Sequence, residues 1–210
     1  MKQILTLIAL IAFTTGVFSQ ENRVEINKSF SDITEVIVDV VFCNIDIQAS
    51  DSPDVSVKGL IQWDKKNDQF QFETKVQGTT LYVNVKHPKK YRSRTSGNLS
   101  LTMPAMTDLE AASVSGNIRT TGVGQRSVKL TTVSGDIEAS KIGSPVKATS
   151  ISGNIQLNAI QGHVTTSTIS GNQYLSDVDG NLKGSSISGN FKIINLKGNR
   201  EISTVSGSVR

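Results

Sequence analysis

The phrase Ser113-Val114-Ser115-Gly116-Asn117-Ile118 organises this sequence, because five further copies of it follow. These copies begin at Thr132, Ser150, Thr168, Ser186 and Thr204, so the period is 19 residues once and 18 residues thereafter. A fixed period of this length is typical of solenoids, in which each repeat stacks on the one before it. The repeat therefore predicts a solenoid over residues 113–210.

Within one period, apolar or small residues alternate with polar ones, which indicates β-strands. The alternating positions of one period are Ile151, Gly153, Ile155, Leu157, Ile160, Gly162 and Val164. We expect this set, Ile151 included, to point inward, and each strand to pair in parallel with the next coil about 4.8 Å away. The prediction is an all-β chain folded as a parallel β-solenoid, or β-helix, with about 18 residues per coil.

Stacking places equivalent residues above one another and so predicts columns of like residues. Glycine shares the inward parity, which indicates either a positive φ at a corner or a strand too close for a side chain. The repeat glycines are Gly97, Gly116, Gly135, Gly153, Gly171, Gly189 and Gly207. A serine column, expected to form hydrogen bonds at a corner, comprises Ser115, Ser134, Ser152, Ser170, Ser188 and Ser206. A polar ladder, whose amides we expect to bond along the stack, comprises Asn117, Asp136, Asn154, Asn172 and Asn190.

The first residues predict export. Lys2 precedes an apolar run over residues 4–13, and Val17-Phe18-Ser19 offers a cleavage site, so residues 1–19 are a predicted signal peptide. The run is short for a membrane span. We expect a protein of the periplasm, the outer-membrane surface or the extracellular space that is not an integral membrane protein. The formal net charge of +4 is mild and excludes little about partners.

Residues 20–112 keep the strand signal but show the repeat only weakly. Cys43 takes the glycine position in an imperfect copy of the phrase, and its single thiol cannot form an internal disulfide. Large residues such as Trp63 and Phe70 gather in this region. We predict either irregular, wider first coils or a β cap, continuous in both cases with the solenoid at 113–210.

The iterated [Ser/Thr]-[Val/Ile]-Ser-Gly-[Asn/Asp]-Ile phrase, behind a predicted export signal, resembles the bacterial putative-adhesin family of β-strand-repeat proteins. This family is related to the auto-transporter adhesin head domains, and the likeness runs from about Ile33 to the C-terminus. The resemblance implies a right-handed, single-stranded β-helix exported to the cell envelope. It implies no catalytic residues.

Candidate catalytic and metal-binding groups are sparse in the repeats. Asp177 and Asp179 lie close together, and a carboxylate pair could serve glycoside hydrolysis, although we favour a solvated turn beside Gly180. With only His87 and His163 as candidate bases, no Ser/His/Asp triad is evident. The ladder positions lack the regular carboxylates that calcium prefers, so neither a metal nor a cofactor is predicted.

The segment 86–94 carries five formal positive charges and no acid. This basic cluster comprises Lys86, Lys89, Lys90, Arg92 and Arg94. It is either a solvated loop or a contact with an anionic surface such as an acidic glycan or lipopolysaccharide. Nucleic acid is disfavoured because the chain is predicted to be exported and lacks a nucleic-acid-binding motif.

These patterns predict a non-catalytic, exported cell-envelope protein that serves as an adhesin-like binding or scaffold module. One alternative is a β-helical polysaccharide-active enzyme, and another is a periplasmic partner of an envelope-stress system. The expected partner is an envelope protein or a glycan. End-to-end self-association is a further expectation, because an uncapped solenoid end presents open ladder groups.

Overall fold

The computed structural model describes residues 22–210. The predicted signal peptide at residues 1–19 lies outside these described residues. The regular elements from residue 22 onward are eighteen β-strands. The first seven are β1 (Asn22–Phe30), β2 (Glu35–Val40), β3 (Cys43–Ser50), β4 (Val55–Trp63), β5 (Gln71–Gln77), β6 (Thr80–Lys86) and β7 (Thr95–Pro104). The next five are β8 (Asp108–Ser113), β9 (Ile118–Thr121), β10 (Val128–Thr132), β11 (Ile137–Ile142) and β12 (Val146–Ser150). The last six are β13 (Ile155–Gln161), β14 (Val164–Thr168), β15 (Gln173–Asp179), β16 (Leu182–Ser186), β17 (Phe191–Leu196) and β18 (Arg200–Thr204).

The strands form two nine-stranded sheets. The first sheet has the order β1-β4-β7-β3-β9-β11-β13-β15-β17, and the second has the order β5-β6-β2-β8-β10-β12-β14-β16-β18. From β8 onward the chain alternates between the sheets, and neighbouring strands pair in parallel. Ile137 pairs with Ile155 in the first sheet, and Val128 pairs with Val146 in the second, so paired residues lie 18 positions apart. This arrangement confirms the all-β, solenoid-like prediction.

The N-terminal region combines coil and cap. Strands β2 and β3 pair in parallel with β8 and β9 and so join the solenoid. Strands β1 and β4 instead run antiparallel at the edge of the first sheet, and β5 and β6 form an antiparallel hairpin at the edge of the second. Residues 22–210 contain no helix with the length and apolar character that a membrane crossing requires.

The core lies between the two sheets and is built from stacked apolar side chains. One such stack in the first sheet consists of Ile118, Ile137 and Ile155, and each of these residues is at most 1% exposed. Burying a side chain of this size contributes about 1.5–3 kcal/mol. At the N-terminal end the core widens into an aromatic cluster, in which Phe70 packs against Phe42 and Trp63 with ring centroids 5.4 and 5.2 Å apart.

The expectation that Ile151 points inward is wrong. Its side chain is 43% exposed, whereas Ser150 and Gly153 on either side of the bend are buried. The chain turns from the second sheet to the first over residues 151–154, and a turn interrupts the period-two alternation of a strand. The inward set resumes at Ile155, which is fully buried.

Close approach of neighbouring coils explains the repeat glycines. A Cβ atom on Gly135 would overlap the carbonyl oxygen of Gly116, and one on Gly153 would overlap that of Gly135. A positive φ occurs instead at glycines such as Gly122 (76°) and Gly124 (97°). These two lie in the loop at 122–127, which holds the extra residue of the single 19-residue period.

Candidate binding surfaces

A column of buried hydroxyl groups stands at the first position of each phrase, and the first four of them bond the corner between the two sheets. The hydroxyls of Ser186 and Thr204 have no hydrogen-bond partner within residues 22–210. Thr132 Oγ1 accepts a hydrogen bond from the N–H of Gly135 at 3.1 Å and donates to the carbonyl of Gly116 in the preceding coil at 3.2 Å. Ser150 makes the same pair of bonds to Gly153 and Gly135. This hydroxyl column comprises Ser113, Thr132, Ser150, Thr168, Ser186 and Thr204.

The serine column predicted from sequence lies two residues later and on the outside of the corner. Ser134 and Ser152 are exposed, and Ser115 reaches the carbonyl of Val41 at 3.2 Å. The corner bonds that we assigned to the serine column therefore belong mainly to the hydroxyl column. A sequence signal for it exists, since a Ser or Thr three residues before a glycine is typical of a side chain that bonds a turn N–H.

The polar ladder stacks along the outer edge of the first sheet, and its side-chain oxygens cap backbone N–H groups of the next coil. Asn117 Oδ1 accepts from the N–H of Asp136 at 2.9 Å, and Asp136 Oδ1 accepts from that of Asn154 at 2.7 Å. Asn154 and Asn172 continue the pattern, with distances of 3.0 and 3.1 Å. The ladder thus satisfies donors that the turn leaves outside the sheet.

A polar groove of about 480 Å³ crosses the outer face of the first sheet where the N-terminal strands meet the repeats. Its first row consists of the ladder side chains Asn117, Asp136 and Asn154 together with Asn44 and Asn98, whose amides are bonded to each other at 3.2 Å. Its second row, one alternation further along the strands, is Ser100, Asp46, Arg119, Glu138 and Gln156.

Several side chains of this polar groove are bonded to each other or to the backbone of the next coil. Arg119 donates to Glu138 Oε2 from Nε at 2.9 Å and from Nη2 at 2.8 Å. The hydrogen bond and the negative charge of Glu138 hold the pKa of the Arg119 guanidinium above its ordinary value. With Asp46, Asp136 and Glu138 against Arg119, the groove carries a formal charge of −2. It offers fixed amide, carboxylate and guanidinium groups, the chemistry that binds vicinal hydroxyl groups.

The basic cluster lies at the capped, N-terminal end of the stack, where Lys86 ends β6 and the other four residues are in the loop between β6 and β7. Asp68 holds this loop by accepting bonds from the backbone N–H groups of Arg92 and Ser93 and from the Ser93 hydroxyl. The Ser93 hydroxyl bond is the main cause that lowers the Asp68 pKa below its ordinary value. Lys65 and Lys66 lie just before Asp68 in the sequence. Since Asp68 is bonded to the loop, these two lysines also lie close to it.

Not all five residues of the basic cluster gather at one place. Lys90 and Arg92 surround a shallow depression with Lys65 and Lys66. Lys86 instead pairs with Glu73 across the β5–β6 hairpin at 3.5 Å. Sequence reasoning missed Lys65 and Lys66, because nothing in their spacing connects them to a loop more than twenty residues away.

Asp177 and Asp179 both lie on β15, and each contacts the following coil. Asp177 takes a left-handed backbone conformation (φ 55°) and accepts a bond from Asn195 Nδ2 at 2.9 Å. Asp179 pairs with Lys197 at 3.3 Å. His163, a candidate base, accepts the N–H of Asn181 at its Nδ1 atom, 3.2 Å away. These groups make coil-to-coil contacts, and both aspartates lie on a strand, not in the solvated turn that we favoured.

Cys43 is fully buried beneath Gly97, and burial raises the pKa of its thiol to about 12. A neutral thiol in this place behaves as a small apolar side chain.

Two facing sheets of stacked parallel strands, with polar ladders at their corners, define a β-solenoid repeat protein. The family model described as Toastrack DUF4097 matches residues 33–210, and the chain belongs to this family. No curated protein matches the chain. The matching family is not named as an adhesin head domain, so the relation to adhesin heads stays a prediction.

Comparison with solved structures gives matches at low sequence identity. The chain is similar to a putative lipid binding protein from Parabacteroides distasonis ATCC 8503, at 15% identity and a TM-score of 0.47, with 90% of this chain and 97% of that chain covered. It is also similar to a putative cell adhesion protein from Clostridium sporogenes ATCC 15579, at 11% identity and a TM-score of 0.46, with coverage of 89% and 97%. A putative adhesin from Bacteroides fragilis NCTC 9343 has 13% identity and a TM-score of 0.42, with coverage of 88% and 96%.

Proposed function

We propose that the protein is a non-catalytic binding module of the cell envelope and that the polar groove binds a neutral glycan. The observation that carries the proposal is the groove's two rows of polar side chains, of which the first row and the Arg119–Glu138 pair are held in position by hydrogen bonds. Sugars are bound by convergent hydrogen-bonding groups fixed before the ligand arrives, because ordering such groups on binding would weaken affinity. The formal charge of −2 disfavours acidic sugars at this site.

Binding to a glycan array, followed by calorimetry on the best ligands, tests this proposal. Gln156→Ala removes a side chain of the groove without touching the ladder bonds, and we expect it to weaken binding at least tenfold. Thr165→Ala is the matched control, because Thr165 is exposed on the outer face of the second sheet in the same coil. Equal binding by wild type and Gln156→Ala would reject the groove as the site.

Analysis of the same glycans after incubation separates binding from catalysis. We expect every glycan to be recovered at its original length. Shortened products would replace the binding proposal by the polysaccharide-active enzyme and would direct mutagenesis to Asp177 and Asp179.

Export is part of the same proposal and rests on the sequence at residues 1–19. Cell fractionation with N-terminal sequencing tests it, and we expect a mature protein that begins at Gln20 and lies outside the cytoplasm. A cytoplasmic protein that keeps Met1 would contradict export. We also infer right-handed winding of 18-residue coils, because connections between parallel strands of one sheet are right-handed in almost all folds; an experimental structure tests the winding.

The basic cluster supports a second contact, with an anionic surface of the envelope. Four cations around one depression, Lys65, Lys66, Lys90 and Arg92, favour phosphate or carboxylate groups there. Changing these four residues to Gln should abolish salt-sensitive binding to vesicles that contain phosphatidylglycerol. The same vesicles should bind the Gln156→Ala variant as well as the wild type. Unchanged binding by the four-Gln variant would reject the contact.

A further inference from the structure

One corner of the solenoid carries a stripe of exposed apolar side chains, one from the second position of each phrase. This apolar stripe comprises Val114, Val133, Ile151, Ile169, Ile187 and Val205. The first five are 37 to 52% exposed, and Val205 is 83% exposed. Backbone bonds keep the stripe in register, since the N–H of Ser134 donates to the carbonyl of Val114 and that of Ser152 to the carbonyl of Val133.

The apolar stripe is large for an exposed feature. Five coil spacings of about 4.8 Å give it a length of about 24 Å. Ile151 has a stripe member in the coil on each side of it, and 43% of its surface is still exposed to solvent. Six such side chains expose on the order of 500 Å² of apolar surface, the size of patches that are often binding sites.

The surroundings of the apolar stripe are almost free of charge. Across all six phrases the only ionisable side chain is Asp136, in a protein with 22 basic and 18 acidic residues. The neighbouring outward positions at the ends of the second-sheet strands are Thr131, Thr149, Ser167, Ser185 and Ser203. A surface laid against this corner therefore meets methyl and hydroxyl groups and desolvates few charges.

We propose that the apolar stripe is the interface of a two-fold dimer, in which two copies of this chain lie side by side with their stripes antiparallel. A partner must match a repeat of about 4.8 Å over six side chains, and a second copy has that spacing by construction. A two-fold axis between Ile151 and Ile169 sets each Ile151 against the partner's Ile169 and pairs the remaining members outward from there. This contact is lateral and is distinct from the end-to-end association expected from sequence.

The area and charge fit a second copy. Two stripes together bury on the order of 1,000 Å² of apolar surface, and their serine and threonine flanks bring the total into the range of stable interfaces. Apposing two stripes brings only the Asp136 carboxylates of the two copies into this neutral strip, so like-charge repulsion is small. The proposal goes beyond glycan binding, because it concerns the apolar stripe at the corner, whereas the polar groove lies on the outer face of the first sheet.

Sedimentation equilibrium of the protein over a range of concentrations tests the dimer. Ile151→Ser with Ile169→Ser removes the centre of the stripe, and we expect the dimer dissociation constant to rise on the order of 100-fold. The matched control is Ile194→Ser, because Ile194 is 38% exposed but lies on β17 away from the stripe. The dimer dissociation constant of Ile194→Ser should equal that of the wild type. Circular dichroism should show the same fold in the wild type, the double Ser variant and Ile194→Ser.

Disulfide capture gives a second measurement that does not depend on removing apolar surface. A mixture of the single variants Ile151→Cys and Ile169→Cys should form an intermolecular disulfide under mild oxidation, because the two-fold axis sets position 151 of one copy against position 169 of the other and each chain carries only one exposed cysteine beside the buried Cys43. Ile194→Cys should remain monomeric on a non-reducing gel. A wild-type protein that is monomeric at all concentrations would overturn the proposal. So would a dimer that survives the double Ser substitution, or cysteines at 151 and 169 that crosslink no faster than cysteine at 194.

Discussion

Thr132 and Thr166 are both 1% exposed, yet the same substitution is expected to change stability in opposite directions at the two sites. Thr132 belongs to the hydroxyl column and bonds both Gly135 N–H and Gly116 carbonyl. The Thr166 hydroxyl points into the core from β14 and has no hydrogen-bond partner within residues 22–210. Valine replaces the hydroxyl by a methyl group and keeps the branched shape and strand preference of threonine.

The size of each effect follows from the hydrogen bonds. Thr132→Val leaves the buried N–H of Gly135 without its acceptor, which should lower the free energy of unfolding by about 1–3 kcal/mol. Thr166→Val removes a hydroxyl that is desolvated and unpaired, which should raise the free energy of unfolding by about 1 kcal/mol. Since volume is nearly constant in both cases, packing should contribute little to either value.

Urea unfolding followed by circular dichroism measures both changes from the shift in midpoint at constant slope. Ser134→Ala serves as the control, because this exposed member of the serine column should change the unfolding free energy by less than about 0.5 kcal/mol. Thr132→Ser should keep most of the stability, because it retains the hydroxyl. The assignment of the corner to the hydroxyl column is refuted if Thr132→Val has no larger effect than Ser134→Ala.

Three further predictions concern close approach of the coils, backbone strain and burial of the thiol. Gly153→Ala should destabilise the protein by more than about 3 kcal/mol in the same urea assay, because its Cβ would overlap the Gly135 carbonyl oxygen. Gly143→Ala, where an added Cβ meets no atom within 4 Å, should be nearly neutral, and equal losses at both sites would contradict close approach as the cause. Ala159→Gly should raise the melting temperature, with a gain of up to about 1 kcal/mol, since Ala159 has a φ of 53° that disfavours side chains; a lower melting temperature would argue against that strain. Cys43 should resist iodoacetamide at pH 8 until the protein unfolds, because its folded-state pKa of about 12 leaves almost no thiolate, and rapid labelling of the folded protein would contradict its burial.

The sequence was sufficient for the parts of the fold in which one coil repeats the next. A residue such as Asn154 has an equivalent 18 positions away on either side, so periodicity alone predicts that these side chains stack. In the N-terminal region the repeat is present only as imperfect copies around Cys43 and Gly97. Strand β4 pairs with β7, and Asp68 bonds to the loop at 87–94. Each of these contacts joins segments of unrelated sequence, so neither could be predicted from the sequence.

The polar groove likewise has one part that the repeat predicts and another part that it does not. Three members of the polar ladder, with Asn44 and Asn98, form one row of the groove, and the ladder itself could be recognised from the repeat. The second row includes Asp46, which comes from β3 and reaches Arg119 only because β3 inserts between β7 and β9. A groove assembled across that junction has no signature in either half of the sequence.

The phrase itself shows where alternation fails and why. In Thr132-Val133-Ser134-Gly135, the polar first residue is buried and the apolar second residue is exposed, which is the reverse of what hydrophobicity predicts. The turn requires a hydroxyl inside, because Gly135 N–H and Gly116 carbonyl would otherwise lack partners. It also requires glycine at the fourth position, because the preceding coil passes too close for a side chain.

The second position has no comparable requirement from the fold. A threonine there would keep the β-branched shape and expose a hydroxyl to water, yet all six phrases carry valine or isoleucine at this point. Stacked neighbours alone could favour these side chains through coil-to-coil contacts, in which case Ile169→Thr should lower stability and leave the sedimentation behaviour unchanged. If contact with a second copy is the reason, the same substitution should weaken dimerisation while the urea midpoint of the monomer stays nearly constant. Since one variant separates stability from association, the exposed position of the phrase can be assigned to folding or to assembly.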